Sequence, residues 1–127
     1  MTKWTGVALM IVLALAVAAC GSRAGKPVPT DLGSALSVEQ ALEQGGPLRV
    51  EGFLVAPEGR EVRLCAVLLE SYPPQCGGAS LVVEGLDLAT VQGLTKTNDP
   101  SLAQVRWSDK GIQLDGTVED GVLTVSA

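Results

Sequence analysis

The sequence predicts a mainly β domain with short helices, small enough to coil into a closed or nearly closed sheet. Three observations carry that expectation. Apolar side chains alternate with a two-residue period through residues 61–69 and 112–119, and partly through 48–56. Turn chemistry lies between such stretches, as Pro57-Glu58-Gly59-Arg60 and Asp120-Gly121. Helical spacing is confined to two short segments, one after Ser37 and one after Asp87.

The chain opens on Lys3 and an uncharged apolar run over residues 7–19 that ends in small side chains, the composition of an export leader. Its end, Leu15-Ala16-Val17-Ala18-Ala19-Cys20, resembles the bacterial lipoprotein signal, in which an aliphatic and two small residues precede a cysteine. The resemblance covers the first 20 residues. It implies a signal peptide over 1–19, cleavage before Cys20, and a diacylglyceryl group, with palmitate-type chains, on the Cys20 thiol. The mature protein is then held on the extracytoplasmic face of a cell membrane, stably so once two or more acyl chains are attached. Two other readings stand beside it. One is an ordinary secretory leader. The other is a membrane-spanning helix, for which the 17 uncharged residues from Trp4 to Cys20 are at the short limit. Residues 20–36 are rich in Gly, Pro and polar side chains and read as a lipid-anchored flexible linker. Its 16 residues after Cys20 reach at most about 55 Å.

The domain proper is expected over residues 37–127. Ser37-Val38-Glu39-Gln40 has the capping-box pattern, Val38, Ala41 and Leu42 share one helical face, and Gly45-Gly46-Pro47 ends the helix. About two turns of helix do not stand alone, so it is expected to pack on the sheet. Residues 48–56 set Val50, Gly52 and Leu54 on one face and Arg49, Glu51, Phe53 and Val55 on the other. The mid-strand Gly52 signals a bend or bulge. Residues 61–69 place Val62, Leu64, Ala66 and Leu68 opposite Arg63, Cys65, Val67 and Leu69, and the two strands read as a hairpin. A third, short strand is expected over 79–84, a helical turn over 87–93, a loop over 95–101, and a short strand over 105–107. Residues 112–119 and 122–125 form the last hairpin around Asp120-Gly121.

Three strands, a helical turn and two strands is the element order of the five-stranded oligonucleotide/oligosaccharide-binding (OB) barrel. Gly52 and Gly116 suit the coiling that such a small barrel needs. The alternative is an open, coiled antiparallel sheet covered by the first helix. The Leu64-Cys65, Tyr72-Pro73-Pro74-Gln75-Cys76-Gly77-Gly78 and Trp107-Ser108-Asp109 features also resemble an uncharacterised family of small actinobacterial lipoproteins. That resemblance implies location and an OB-like fold, and no function.

Composition narrows what the domain does. Lys+Arg number 9 and Asp+Glu 14, for a net charge of −5; loss of Lys3 with the leader makes it −6. An acidic chain lacks the basic face that nucleic acid requires. It has no histidine, so the commonest general base and metal ligand is missing, and no local pattern offers a substitute nucleophile pair. The sequence is therefore read as a non-enzyme with no catalytic residues, metal or cofactor. Asp109, Asp115, Glu119 and Asp120 crowd the last third without the ligand spacing of a calcium loop.

With Cys20 assigned to the lipid, Cys65 and Cys76 are each other's partner, and in an exported protein such a pair oxidises. Ten residues between them do not suit a redox pair, and further zinc ligands do not exist. Closing this loop contributes about 3 kcal/mol. Tyr72, beside the stiff Pro73-Pro74 corner, and Trp107 are the candidate binding residues. The competing readings are that Tyr72 packs under the loop and that Trp107 is a lid on the core. The functional expectation is a non-catalytic binding or interaction module on a tether, for an envelope protein, peptide or glycan. The alternative is a structural or assembly component of an envelope complex, acting through the first helix.

Overall fold

The computed structural model describes residues 32–126. The leader, Cys20 and residues 20–31 of the expected linker lie outside them. The element order is α1 (Val38–Gln44), β1 (Gly46–Pro57), β2 (Val62–Leu69), β3 (Gln75–Glu84), a 3-10 turn (Leu88–Thr90), β4 (Leu94–Lys96), β5 (Val105–Ser108), β6 (Ile112–Glu119) and β7 (Val122–Val125). Ser37 caps α1 in both directions: its hydroxyl accepts from the Gln40 N–H, and its own N–H donates to Gln40 Oε1.

All seven strands belong to one mixed sheet, and five of them pair in a closed circuit. β1 pairs with β2 through Phe53↔Cys65, and β2 with β3. β3 pairs with β7 through Val83↔Leu123, β7 with β6, and β6 with the first half of β1 from Gly46↔Val118 to Gly52↔Ile112. The β3–β7 pairing is parallel, so the sheet is mixed where an antiparallel one was the open-sheet expectation. The second half of β1 takes β5 as its partner from Val55↔Trp107, and β4 adds to β5. These two strands extend the ring. Thr95 and Lys96 of β4 fall in the stretch read from the sequence as loop, because three residues of which one is charged carry no alternation.

Two glycines let the ring close so tightly. A Cβ on Gly116 would strike the Thr124 carbonyl, and one on Gly52 would lie 2.9 Å from the Cys65 carbonyl oxygen and the Leu64 side chain. Both sit where neighbouring backbones come closer than any side chain allows. Inside the circuit Leu54, Leu64, Leu81 and Leu123 are wholly buried, joined by Val38, Ala41, Leu48, Val50 and Val118. Burying each leucine contributes about 1.5–3 kcal/mol.

Helix α1 supplies only Val38 and Ala41 to this core, while Leu42, expected beside them, is 40% exposed. Seven residues turn one narrow stripe inward, and position 42 falls just off it. Leu36, placed at the end of the linker by the sequence, is already in the sheet. Its N–H donates to the Arg49 carbonyl and its carbonyl accepts from Glu51.

A second cluster lies on the opposite face of the same strands. Val55, Cys65, Val105 and Trp107 are buried there, with Leu68 and Cys76 against them. Leu68 was expected on the face of Leu64. The β2–β3 register runs Cys65↔Ser80 and then Val67↔Gly77, so β3 carries one extra residue, near Gly78 at φ +65°. Such a bulge bends its strand and increases the local twist. Beyond it Leu68 packs with Cys65, while Val67 and Leu69 are 48% and 49% exposed.

Candidate groove beside the stapled loop

The Cys65–Cys76 disulfide joins β2 to β3 across the bulge, with the two Cα atoms 5.4 Å apart, inside the usual range for the bond. It secures the base of the 70–74 turn, where Tyr72-Pro73 is a cis peptide and the Ser71 hydroxyl donates to the Pro73 carbonyl. Tyr72 and Trp107, far apart in sequence, meet edge to face with ring centroids 5.9 Å apart, a favoured aromatic geometry. The two rings have different standing. Trp107 is 4% exposed and Tyr72 is 52% exposed.

The polar edges of both rings are tied down. The Tyr72 hydroxyl donates to Asn98 Oδ1 at 2.7 Å and accepts from the Asn98 N–H at 3.1 Å. The Trp107 indole N–H donates to Asp109 Oδ1 at 2.9 Å, and the Thr95 hydroxyl donates to Asp109 Oδ2 at 2.5 Å. The Thr95 and then the Trp107 hydrogen bond hold the Asp109 carboxyl below its ordinary value, since both favour the charged form. In the same way the Ser101 hydroxyl and N–H lower Asp99. Trp107-Ser108-Asp109 thus works as a polar clasp between β5 and β4.

Two small hydroxyl residues missed at the sequence level complete the frame. Ser108 is buried, and its Oγ accepts from the Leu54 N–H at 2.8 Å. It does so where β1 changes partner from β6 to β5, a point at which the ladder would otherwise leave a donor unmade. Buried Thr97 accepts from the Val105 N–H and closes the 97–105 loop. A lone serine or threonine in a turn-rich stretch carries no sequence signal for such a role.

Between the proline corner and the β1–β2 turn lies a groove of about 1170 Å³. Val55, Val105 and Cys76, members of the second cluster, contribute its apolar side, and Pro73, Pro74 and Pro57 line it with little freedom to move. Glu58, Arg60, Glu61 and Arg63 add charge. The Arg63 guanidinium donates to Glu61 at 2.9 Å and to Ser80 Oγ at 3.0 Å. Neither Trp107 nor Tyr72 is among its lining residues; Trp107 packs with Val55 and Val105 in the second cluster. On the far side of the β1–β2 turn a second groove, of about 520 Å³, shares Glu58, Arg60 and Val105 with the first.

Asp115, one of the four acidic residues of the last third, is committed elsewhere. Arg49, directly opposite on β1, holds it through two hydrogen bonds of 2.7 and 3.0 Å and keeps its carboxyl below the ordinary value. Among the described residues no three acidic or sulfur side chains come together as metal ligands, and no helix is long and apolar enough to cross a membrane. Comparison of the chain with family models, curated proteins and solved structures finds no match.

Proposed function

We propose that this protein is a membrane-anchored, extracytoplasmic binding module, and that its larger groove takes an extended segment of an envelope protein or peptide. The observation that carries this reading is the groove itself. Its apolar side rests on a disulfide-braced cluster and its walls include three prolines, so it is shaped before a ligand arrives. Preorganised walls lower the ordering cost of binding, and apolar and charged side chains line the same groove, which suits a peptide segment that carries both. We read it as non-catalytic: Cys76 is in the disulfide and Glu61 is engaged by Arg63, and the remaining lining carboxylate, Glu58, has no hydroxyl, thiol or imidazole among the other lining side chains. The anchor rests on the lipoprotein-like signal ending at Cys20.

A second reading, a structural component of an envelope complex, is favoured by exposed Leu42 on α1, flanked by Glu39 and Glu43. A photo-crosslinking residue placed in cells at Gln75, which lines the groove, or at Leu42, separates the two. Crosslinks from Gln75 support the groove; crosslinks from Leu42 alone support assembly through the helix; none from either contradicts both. Labelling with a fatty-acid analogue tests the anchor, and equal labelling of wild type and Cys20→Ala would refute it.

A further inference from the structure

We propose that the smaller groove is a binding site for a phosphomonoester carried on a small apolar body. Residues 32–126 contain six Lys and Arg, and three of them, Arg60, Lys96 and Arg106, line this one groove. Their side chains make no hydrogen bond or ion pair with any described residue, whereas Arg49 and Arg63 are paired with carboxylates. Lys96 and Arg106 are directly opposite each other on β4 and β5, which sets their Cβ atoms about 5 Å apart with like charges facing. That juxtaposition is unfavourable in the empty protein, and an anion between the two converts it into attraction. Glu58 is the one carboxylate lining the groove, leaving two net positive charges, the complement of a phosphomonoester dianion. Two guanidinium groups grip oxyanions through paired N–H donors while the ammonium acts as a point charge. Pro57, Val62, Leu88 and Val105 supply an apolar side, with Gln104 beside it, and about 520 Å³ exceeds what bare phosphate fills while lying within the range of small-molecule sites. An otherwise acidic surface excludes long polyanions and leaves room for one such ester.

The test uses the full chain and phenyl phosphate as probe, measured by calorimetry against inorganic phosphate and against sodium chloride of equal ionic strength. The expected result is saturable binding of phenyl phosphate, tighter than inorganic phosphate, weakened about ten-fold or more by Arg106→Ala and by Lys96→Gln. Lys110→Gln, a lysine outside the groove, leaves it unchanged. Lys96→Gln also relieves the opposed charges, so its melting temperature without ligand equals or exceeds that of wild type, which guards against misreading an unfolded variant. Vesicles containing phosphatidic acid, with phosphatidylcholine vesicles as reference, distinguish the source of the ester. Preferential binding lost in Lys96→Gln assigns the site to a lipid headgroup, and its absence alongside phenyl phosphate binding assigns it to a soluble ester. No binding beyond the sodium chloride control, or equal weakening by Lys110→Gln, overturns the proposal. Lys96 and Arg106 do not line the larger groove, so these two variants test the smaller groove while leaving the lining of the larger one unchanged.

Discussion

Inside the ring the core is aliphatic throughout, and Leu54, Leu64, Leu81 and Leu123 are wholly buried in it. On the other face of β1 and β2 the second cluster is built from two valines, a leucine, an indole and a disulfide. The first is closed by topology, since five strands pair in a circuit and two glycines let them approach. The second has no circuit around it, and it is held by one covalent bond, the Trp107–Asp109–Thr95 clasp and the Tyr72–Asn98 bonds. This second cluster, not the main core, braces the larger groove. Stability and site-building are therefore divided between two faces of the same strands.

The sharpest way to break that division is to damage the ring. Leu64→Ala, at a wholly buried position, should cost about 2–5 kcal/mol and lower protection from hydrogen exchange everywhere, both clusters included. Denaturant melts would check it. Next is the staple. Cys65→Ser/Cys76→Ser should cost about 3 kcal/mol, with exchange rising chiefly in β4, β5 and the far end of the β2–β3 hairpin. The single Cys65→Ser variant should be worse in handling than the double one, because it frees Cys76 to form mixed disulfides, visible in intact mass.

The two faces also differed in how far the sequence revealed them. The ring was largely legible. Ser37 and Gln40 announced α1, the alternation in residues 112–119 gave β6, and Gly52 and Gly116, expected as a bend and as kinks for coiling, are where neighbouring backbones come close. On the outer face, the Cys65–Cys76 pairing was read from the sequence once Cys20 was set aside for a lipid. The outer face was less legible for local reasons. Its strand β5, expected over 105–107, is present at Val105–Ser108, whereas β4, three residues long, is too short for a period to register. The bulge beyond which Leu68 packs against Cys65 depends on the register of β3 against β2, which no single strand encodes. Tyr72 meeting Trp107, and Ser108 completing β1, are long-range pairings with no pattern in either segment. The lining of the grooves inherits the same obscurity, since Val105, Lys96 and Arg106 come from those short strands.

Smaller effects sharpen the contrast further. Trp107→Phe keeps a ring in the cluster and removes the indole donor to Asp109, so it should cost about 1 kcal/mol and loosen β4 more than β6. Exchange at Leu94–Lys96 would check it. On the ring's outer surface, Asp115→Asn should cost about 0.2–1 kcal/mol at neutral pH and low salt, and less as salt is added. The sign with pH follows from the lowered folded value of Asp115. The contribution is present above the ordinary carboxylate range and is lost as pH falls through the depressed folded value. Wild type and variant melts should converge in strong acid.

Hydrogen exchange of the full chain, oxidised and after reduction, tests the division between the two faces most directly. On reduction, amides of β6 and of the first half of β1 should lose no more protection than the fall in global stability accounts for. Those of Val105–Ser108, Leu94–Lys96 and the hairpin beyond the bulge should lose more. Equal loss of protection in β6 and β5 would contradict the account, because it would mean that the disulfide holds the ring and the second cluster as one unit.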